Sequence, residues 1–96
     1  MNRTKLTTDE LCARSAELPG WVLAEGKLTR TFRFADFVDA FGFMARVALV
    51  AERMNHHPEW RNVYGEVSVA LVTHDCDGIS ALDFELAHAM DRLAAS

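Results

Sequence analysis

Glu52–Asp83 reads E-R-M-N-H-H-P-E-W-R-N-V-Y-G-E-V-S-V-A-L-V-T-H-D-C-D-G-I-S-A-L-D. Proline biases the residue before it away from helical angles, so His57-Pro58 ends the helix that runs into this stretch. Trp60–Tyr64 then reads as a short strand and Gly65 as part of a tight turn. Glu66–Thr73 is the clearest strand, because Val67, Val69, Leu71 and Thr73 alternate with Ser68, Ala70, Val72 and His74. His74–Ile79 forms a loop. Ser80 starts a final helix, with Asp83 at its N3 capping position. A helix end, a proline break and a strand thus separate His56 and His57 from His74, an order that can fold two distant pieces of chain onto one pocket.

Upstream, Ala35–Met54 is a long helix. Phe37, Phe41, Met44, Ala48 and Ala51 recur at intervals of three and four, and Val38, Ala45, Val47, Leu49 and Val50 widen that stripe. Its width suggests burial on more than one side, against the sheet and a second subunit. Trp21–Ala24 and Lys27–Phe34 form a hairpin around Glu25-Gly26. Arg30 interrupts the apolar face of its strand, which suggests a place near an edge. Thr7 and Glu10 have capping-box spacing, flanked by Leu6 and Leu11, so a first helix spans about residues 8–17 and stops at Pro19-Gly20. The order α-β-β-α-β-β-α predicts an α+β domain over residues 1–96, a four-stranded antiparallel sheet with three helices packed on one face. Leu82, Leu86, Met90 and Leu93 form the buried stripe of the last helix.

Composition narrows the function. Half of the 96 residues are hydrophobic, enough for a packed core, and the formal charge is −4. That charge, with no Lys/Arg cluster longer than two, argues against direct nucleic-acid binding. The start of the chain, M-N-R-T-K-L-T-T-D-E-L, has no apolar run behind its charges and does not read as a signal peptide. No 18-residue apolar stretch suggests a membrane span. Two cysteines do not make a disulfide framework, so a cytoplasmic setting is expected.

Histidine exchanges protons near neutrality. Two imidazoles beside one substrate can remove a proton from one atom and protonate a leaving group on another. His56, His57 and His74 are the candidates. His57 competes with a helix-capping role, and His88 reads as a packing or surface residue outside the cluster. Glu52 lies four residues before His56, the spacing that lets it share a helical face with that ring. Trp60 can stack on a flat substrate or pack in the core. Asp83 can meet a ligand at a pocket floor or simply cap its helix. Metal donors exist in His56, His57, His74, Asp75, Cys76 and Asp77, but no familiar metal-binding spacing joins them, and no metal is expected. Cys76 reads as an incidental thiol rather than a nucleophile.

H-H-P-E-W-R-N-V-Y followed by V-x-V-x-L-x-T-H-D-x-x-G-I-S-x-x-D resembles the pterin-4a-carbinolamine dehydratase family. F-x-D-F-x-x-A-F-G-F-M-x-R-V-A-L-x-A-E extends the resemblance through Phe34–Glu52. The resemblance implies a cytoplasmic homodimer or homotetramer that dehydrates 4a-hydroxytetrahydropterin to quinonoid dihydropterin. Such enzymes regenerate the cofactor of aromatic amino-acid hydroxylases. It implies catalytic roles for His56, His57 and His74, pterin-pocket positions for Glu52, Trp60 and Asp83, and no cofactor, the pterin being the substrate. From the approach of two separate elements, His56 and His74 are expected to carry the main proton transfers, with His57 holding the pterin. The alternative is an oligomeric protein that binds pterin, or regulates, without turnover.

Overall fold

The computed structural model describes residues 3–95. Met1, Asn2 and Ser96, the ends of the expected 1–96 domain, lie outside the described residues. Helix α1 spans Thr8–Arg14 and tightens into a 3-10 turn over Ser15–Glu17. Its capping box forms as expected: the Thr7 hydroxyl accepts from the Glu10 N–H at 3.1 Å, and the Glu10 carboxylate accepts from the Thr7 N–H at 2.8 Å. Strand β1 (Val22–Ala24) turns into β2 (Lys27–Arg33). The linking residues, Glu25 and Gly26, have φ of 55° and 77°. Two successive positive φ angles match the twist of a two-residue hairpin. Helix α2 covers Phe37–Met54, capped by Asp36, whose carboxylate accepts from the Asp39 N–H at 2.8 Å. Strands β3 (Glu59–Val63) and β4 (Glu66–Leu71) form the second hairpin, and α3 runs over Ala81–Ala95.

The four strands are antiparallel in the order β1-β2-β4-β3, so β2 and β4 are the interior pair. The register sets Leu28 beside Leu71, Arg30 beside Val69 and Phe32 beside Val67. One face of the sheet therefore carries Leu28, Phe32, Val67, Val69 and Leu71, all buried against the helices. Phe32 and Phe34 each stack on Phe43 of α2, at 4.8 and 4.9 Å between ring centres. From α3, Leu82, Leu86 and Met90 complete this core as the sequence pattern indicates, with Leu93 partly buried at its margin. Among the described residues, no helix covers the other face of the sheet. There Val22, Thr29, Thr31, Arg61, Ser68 and Ala70 line an open cavity of about 620 Å³.

Three sequence expectations are corrected. The core side of α2 is Ala40, Phe43, Val47, Ala51 and Met54. Of the expected stripe only Ala51 and, among the residues that widen it, Val47 are buried, while Phe37 and Phe41 are more than half exposed. The apolar residues of α2 cover most of its circumference, so periodicity alone could not choose the side. Small Ala40 and Ala51 let the helix approach the sheet where Phe43 fills the gap. Arg30 lies on an interior strand, not near an edge. Its guanidinium crosses the Phe32 ring at 4.4 Å and meets the Asp91 carboxylate at 2.7 Å, an oxygen that also accepts from the Trp21 indole N–H. An ion pair plus ring contact satisfies a half-buried charge that burial alone would penalise. Finally, β4 ends at Leu71 rather than Thr73. Thr73 leaves the ladder to pair with Gly78, and His74 opens a 3-10 turn over His74–Cys76.

Gly65 belongs in its turn for a steric reason: a Cβ there would stand 2.6 Å from the Phe34 carbonyl oxygen. Phe43→Ala should destabilise the protein by about 3–5 kcal/mol in a chemical denaturation series, the usual loss for emptying a buried Phe site. A loss below about 1 kcal/mol would contradict this assignment of the core face.

Candidate active site

The carboxyl end of α2 decides where the paired histidines go. Asn55 adopts the left-handed conformation, with φ 52° and ψ 43°. Its N–H bonds to the Glu52 carbonyl, and the His56 N–H bonds back to the Ala51 carbonyl at 3.0 Å. This is the Schellman arrangement, which closes a helix and turns the chain sharply. His56 therefore points inward, and Pro58 then drives the chain into β3. His57, one residue on, is exposed.

His56 is 5% exposed and Asp83 is fully buried, with 2.6 Å between His56 Nε2 and Asp83 Oδ1. The second oxygen, Oδ2, accepts from the Thr73 hydroxyl at 2.8 Å and from the Ser80 N–H at 2.9 Å. Thr73 has only one hydroxyl proton, and Asp83 takes it. The 2.6 Å contact between Thr73 and Ser80 must therefore run from the Ser80 hydroxyl to the Thr73 oxygen. Ser80 Oγ in turn accepts from the Leu82 N–H at 3.2 Å. Asp83 is thus the N3 cap expected from sequence, and also the acceptor that binds the end of α2 to the end of β4.

The other two rings are outside. The His57 side chain is 58% exposed, and its Nε2 lies 2.9 Å from Glu52 Oε1. Glu52 was expected to share a helical face with His56. Because the helix has ended by residue 56, the carboxylate reaches His57 instead. The His74 side chain is 75% exposed, and its Nε2 lies 3.0 Å from Glu59 Oε2. The other oxygen of Glu59 holds Lys27 Nζ at 2.6 Å. Lys27 is the main reason, with His74 a lesser one, that the Glu59 carboxyl stays below its ordinary pKa.

Antiparallel pairing of β3 with β4 places Glu59 beside Ala70, so His57, just before β3, and His74, just after β4, leave the hairpin at the same end. The Glu59–His74 bond closes the gap between the two segments. Arg3 adds a strap, donating to the Asn55 carbonyl at 2.7 Å and standing 3.5 Å from the Asp75 carboxylate. Trp60 is half-buried and packs against the core, with its position also bordering the open cavity. None of the three histidines lines that cavity; Glu59 and Trp60 belong to both places. His88 bonds Glu17 at 3.0 Å, away from this cluster. Among the described residues, no three His, Cys, Asp or Glu side chains converge as a metal site.

The sequence model of pterin 4 alpha carbinolamine dehydratase matches residues 4–93. This chain belongs to the pterin-4a-carbinolamine dehydratase family. A Prochlorococcus marinus (strain MIT 9303) protein provisionally named as such a dehydratase is 54% identical over 93 residues, spanning 97% of both chains. One from Rhodopseudomonas palustris (strain BisB18) is 57% identical over 93 residues, spanning 95% of this chain and 92% of the relative. The crystal structure of a Brucella melitensis protein, titled transcriptional coactivator/pterin dehydratase, superposes with a TM-score of 0.91 at 44% identity. The match covers 95% of this chain and 99% of that one. In the sequence, the three histidines and Glu52, Trp60 and Asp83 stand out as candidate site residues, whereas Glu59, Lys27, Thr73 and Ser80 do not. Glu59 stands inside the H-H-P-E-W motif, which was its one available signal. Nothing local marks Lys27, which is 32 residues away from Glu59.

Asp83→Ala should cost about 2–5 kcal/mol of stability, because it strands the His56 ring, the Thr73 hydroxyl and the Ser80 N–H in the interior. Denaturant titration checks this, and a change within 0.5 kcal/mol, roughly surface behaviour, would mean that the network does not hold these elements together.

Proposed function

We propose that the chain, as one dehydratase domain over residues 1–96, converts 4a-hydroxytetrahydropterin to quinonoid dihydropterin in pterin cofactor recycling. The observation that carries this reading is the pair of exposed imidazoles at one end of the β3–β4 hairpin, each braced by a carboxylate, in a chain of this family. In the reaction the bond from C4a to its hydroxyl breaks, N5 loses its proton, and the hydroxyl leaves as water once protonated. The electron pair released at N5 becomes the new double bond to C4a. Nothing is oxidised or reduced overall, and two imidazoles supply both proton transfers, so the mechanism calls on no metal and no redox cofactor.

All three histidines belong to the proposed catalytic set. Exposure and free ring nitrogens favour His57 and His74 for direct exchange with substrate. That departs from the expectation that His56 shares the main proton transfers, because His56 Nε2 is committed to Asp83 beneath the surface. We assign His56 to the floor of the site, where its second nitrogen is the one left for the pterin. In this reading Asp83 acts through His56, Glu52 orients His57, and Trp60 supplies a flat wall. Freshly generated 4a-hydroxytetrahydropterin tests the assignment. His57→Ala and His74→Ala should each slow dehydration by about 10²- to 10⁴-fold, the usual contribution of a positioned acid or base. Wild-type turnover should persist in a metal chelator. Near-wild-type rates in both variants, or abolition by the chelator, would reject the mechanism.

We propose a cytoplasmic homodimer or homotetramer, and the α2 surface supports the self-association. Phe37, Val38, Phe41 and Leu49 are 53%, 75%, 56% and 73% exposed. Exposed apolar residues gathered on one helix suit a symmetric interface with a second copy. Leu49→Glu should shift sedimentation toward the monomer while the circular dichroism stays native. An unchanged sedimentation coefficient would point the interface elsewhere. No direct contact with nucleic acid or membrane is proposed. Among the described residues, no helix is long and apolar enough to cross a membrane.

A further inference from the structure

We infer that Glu59 is a positioning residue for His74: clamped by Lys27, it fixes which nitrogen of that ring faces the substrate. The inference rests on the dehydratase reading above. It begins from three side chains on three different elements. Lys27 starts β2, Glu59 starts β3, and His74 follows β4. The Glu59 carboxylate uses one oxygen for each neighbour, 2.6 Å to Lys27 Nζ and 3.0 Å to His74 Nε2.

A carboxylate can only accept hydrogen bonds when ionised. The ammonium of Lys27 favours the ionised form, in keeping with the lowered pKa of Glu59. His74 must then donate from Nε2, and in the neutral ring that leaves the lone pair on Nδ1. The base therefore has one defined nitrogen. It also has a defined ring direction, since the bond to Glu59 restrains a side chain that is otherwise 75% exposed. Asp75, on the same 3-10 turn, is engaged with Arg3 at 3.5 Å. Lys27 contributes by holding Glu59 in place, so that the carboxylate does not swing into solvent with its own rotamer freedom.

Glu52 does the same for His57 from its own helix, but over five residues on one element and with an 82% exposed side chain. The Glu59 clamp instead joins three separate elements, β2, β3 and the 3-10 turn after β4.

The test compares wild type with Glu59→Gln, Lys27→Met, His74→Ala and the Glu59→Gln/His74→Ala double variant, each checked for native circular dichroism. Nitrogen-15 spectra of the His74 ring, taken where the ring is neutral, should show the Nε2–H form in wild type and a mixture in Glu59→Gln. An amide can donate as well as accept, so it no longer selects one tautomer. Steady-state dehydration by Glu59→Gln should fall about tenfold in kcat with KM within about twofold, the size of one charge-assisted hydrogen bond acting on the chemical step. Lys27→Met should show the same pattern at smaller amplitude. In the His74→Ala background, Glu59→Gln should add nothing further. An unchanged His74 tautomer in Glu59→Gln overturns the inference, as does a loss that adds in full to that of His74→Ala. Failure of wild type to dehydrate the pterin would instead sink the dehydratase reading, and the ring spectra separate the two cases.

Discussion

The contact between His56 and Asp83 is the constraint on which the rest of the site depends. One buried carboxylate takes donors from the end of α2, the end of β4 and the start of α3. Burying such groups is costly, and a pair of this kind is weak evidence for net stability. Its effect is on position. Three acceptor interactions meet only when the Schellman turn after Met54, the Thr73–Gly78 bridge and the first turn of α3 are all in place. A slip of one residue in any of them would leave a buried donor without an acceptor, which is a larger penalty than the bond itself contributes. The network therefore sets the alignment of the two segments that carry the histidines.

That alignment divides the adjacent pair. His56 is spent on the interior, and its neighbour is released to the surface, where it faces the same end of the hairpin as His74. The two exposed rings each meet a carboxylate through Nε2, Glu52 for one and Glu59 for the other. A small domain reaches this economy by putting all its helices on one side of the sheet. The helices supply the core and the caps, while the free side and the strand ends are left for polar work. The same economy leaves α2 with apolar residues on both of its sides, one against Phe32 and Phe34 and the other toward solvent or a second copy.

Much of the fold was legible because its signals are local. Thr7 with Glu10, Pro58 and the Ser80–Asp83 spacing each act within one helical turn, and the alternation of Val67, Val69 and Leu71 is a property of a single strand. The side of α2 that meets the sheet was not legible. Phe41 and Phe43 are equally apolar, and which one is buried depends on where Ala40 and Ala51 allow the helix to approach. Arg30 misled for a similar reason: a charge on an interior strand looks wrong until Asp91, 61 residues later, arrives beside it.

For the candidate site, the residue types and their spacing singled out the imidazoles as candidates and placed Asp83 as a cap, and the motif pointed to the family. Which ring is buried, which carboxylate serves which ring, and the place of Lys27 beside Glu59 were decided by tertiary structure alone. The partners are separated by 27 residues for His56 and Asp83, 15 for His74 and Glu59, and 32 for Lys27 and Glu59. Propensity and capping act over three or four residues. Contacts at these separations exist only once strand order, register and helix closure have brought the ends of separate elements together.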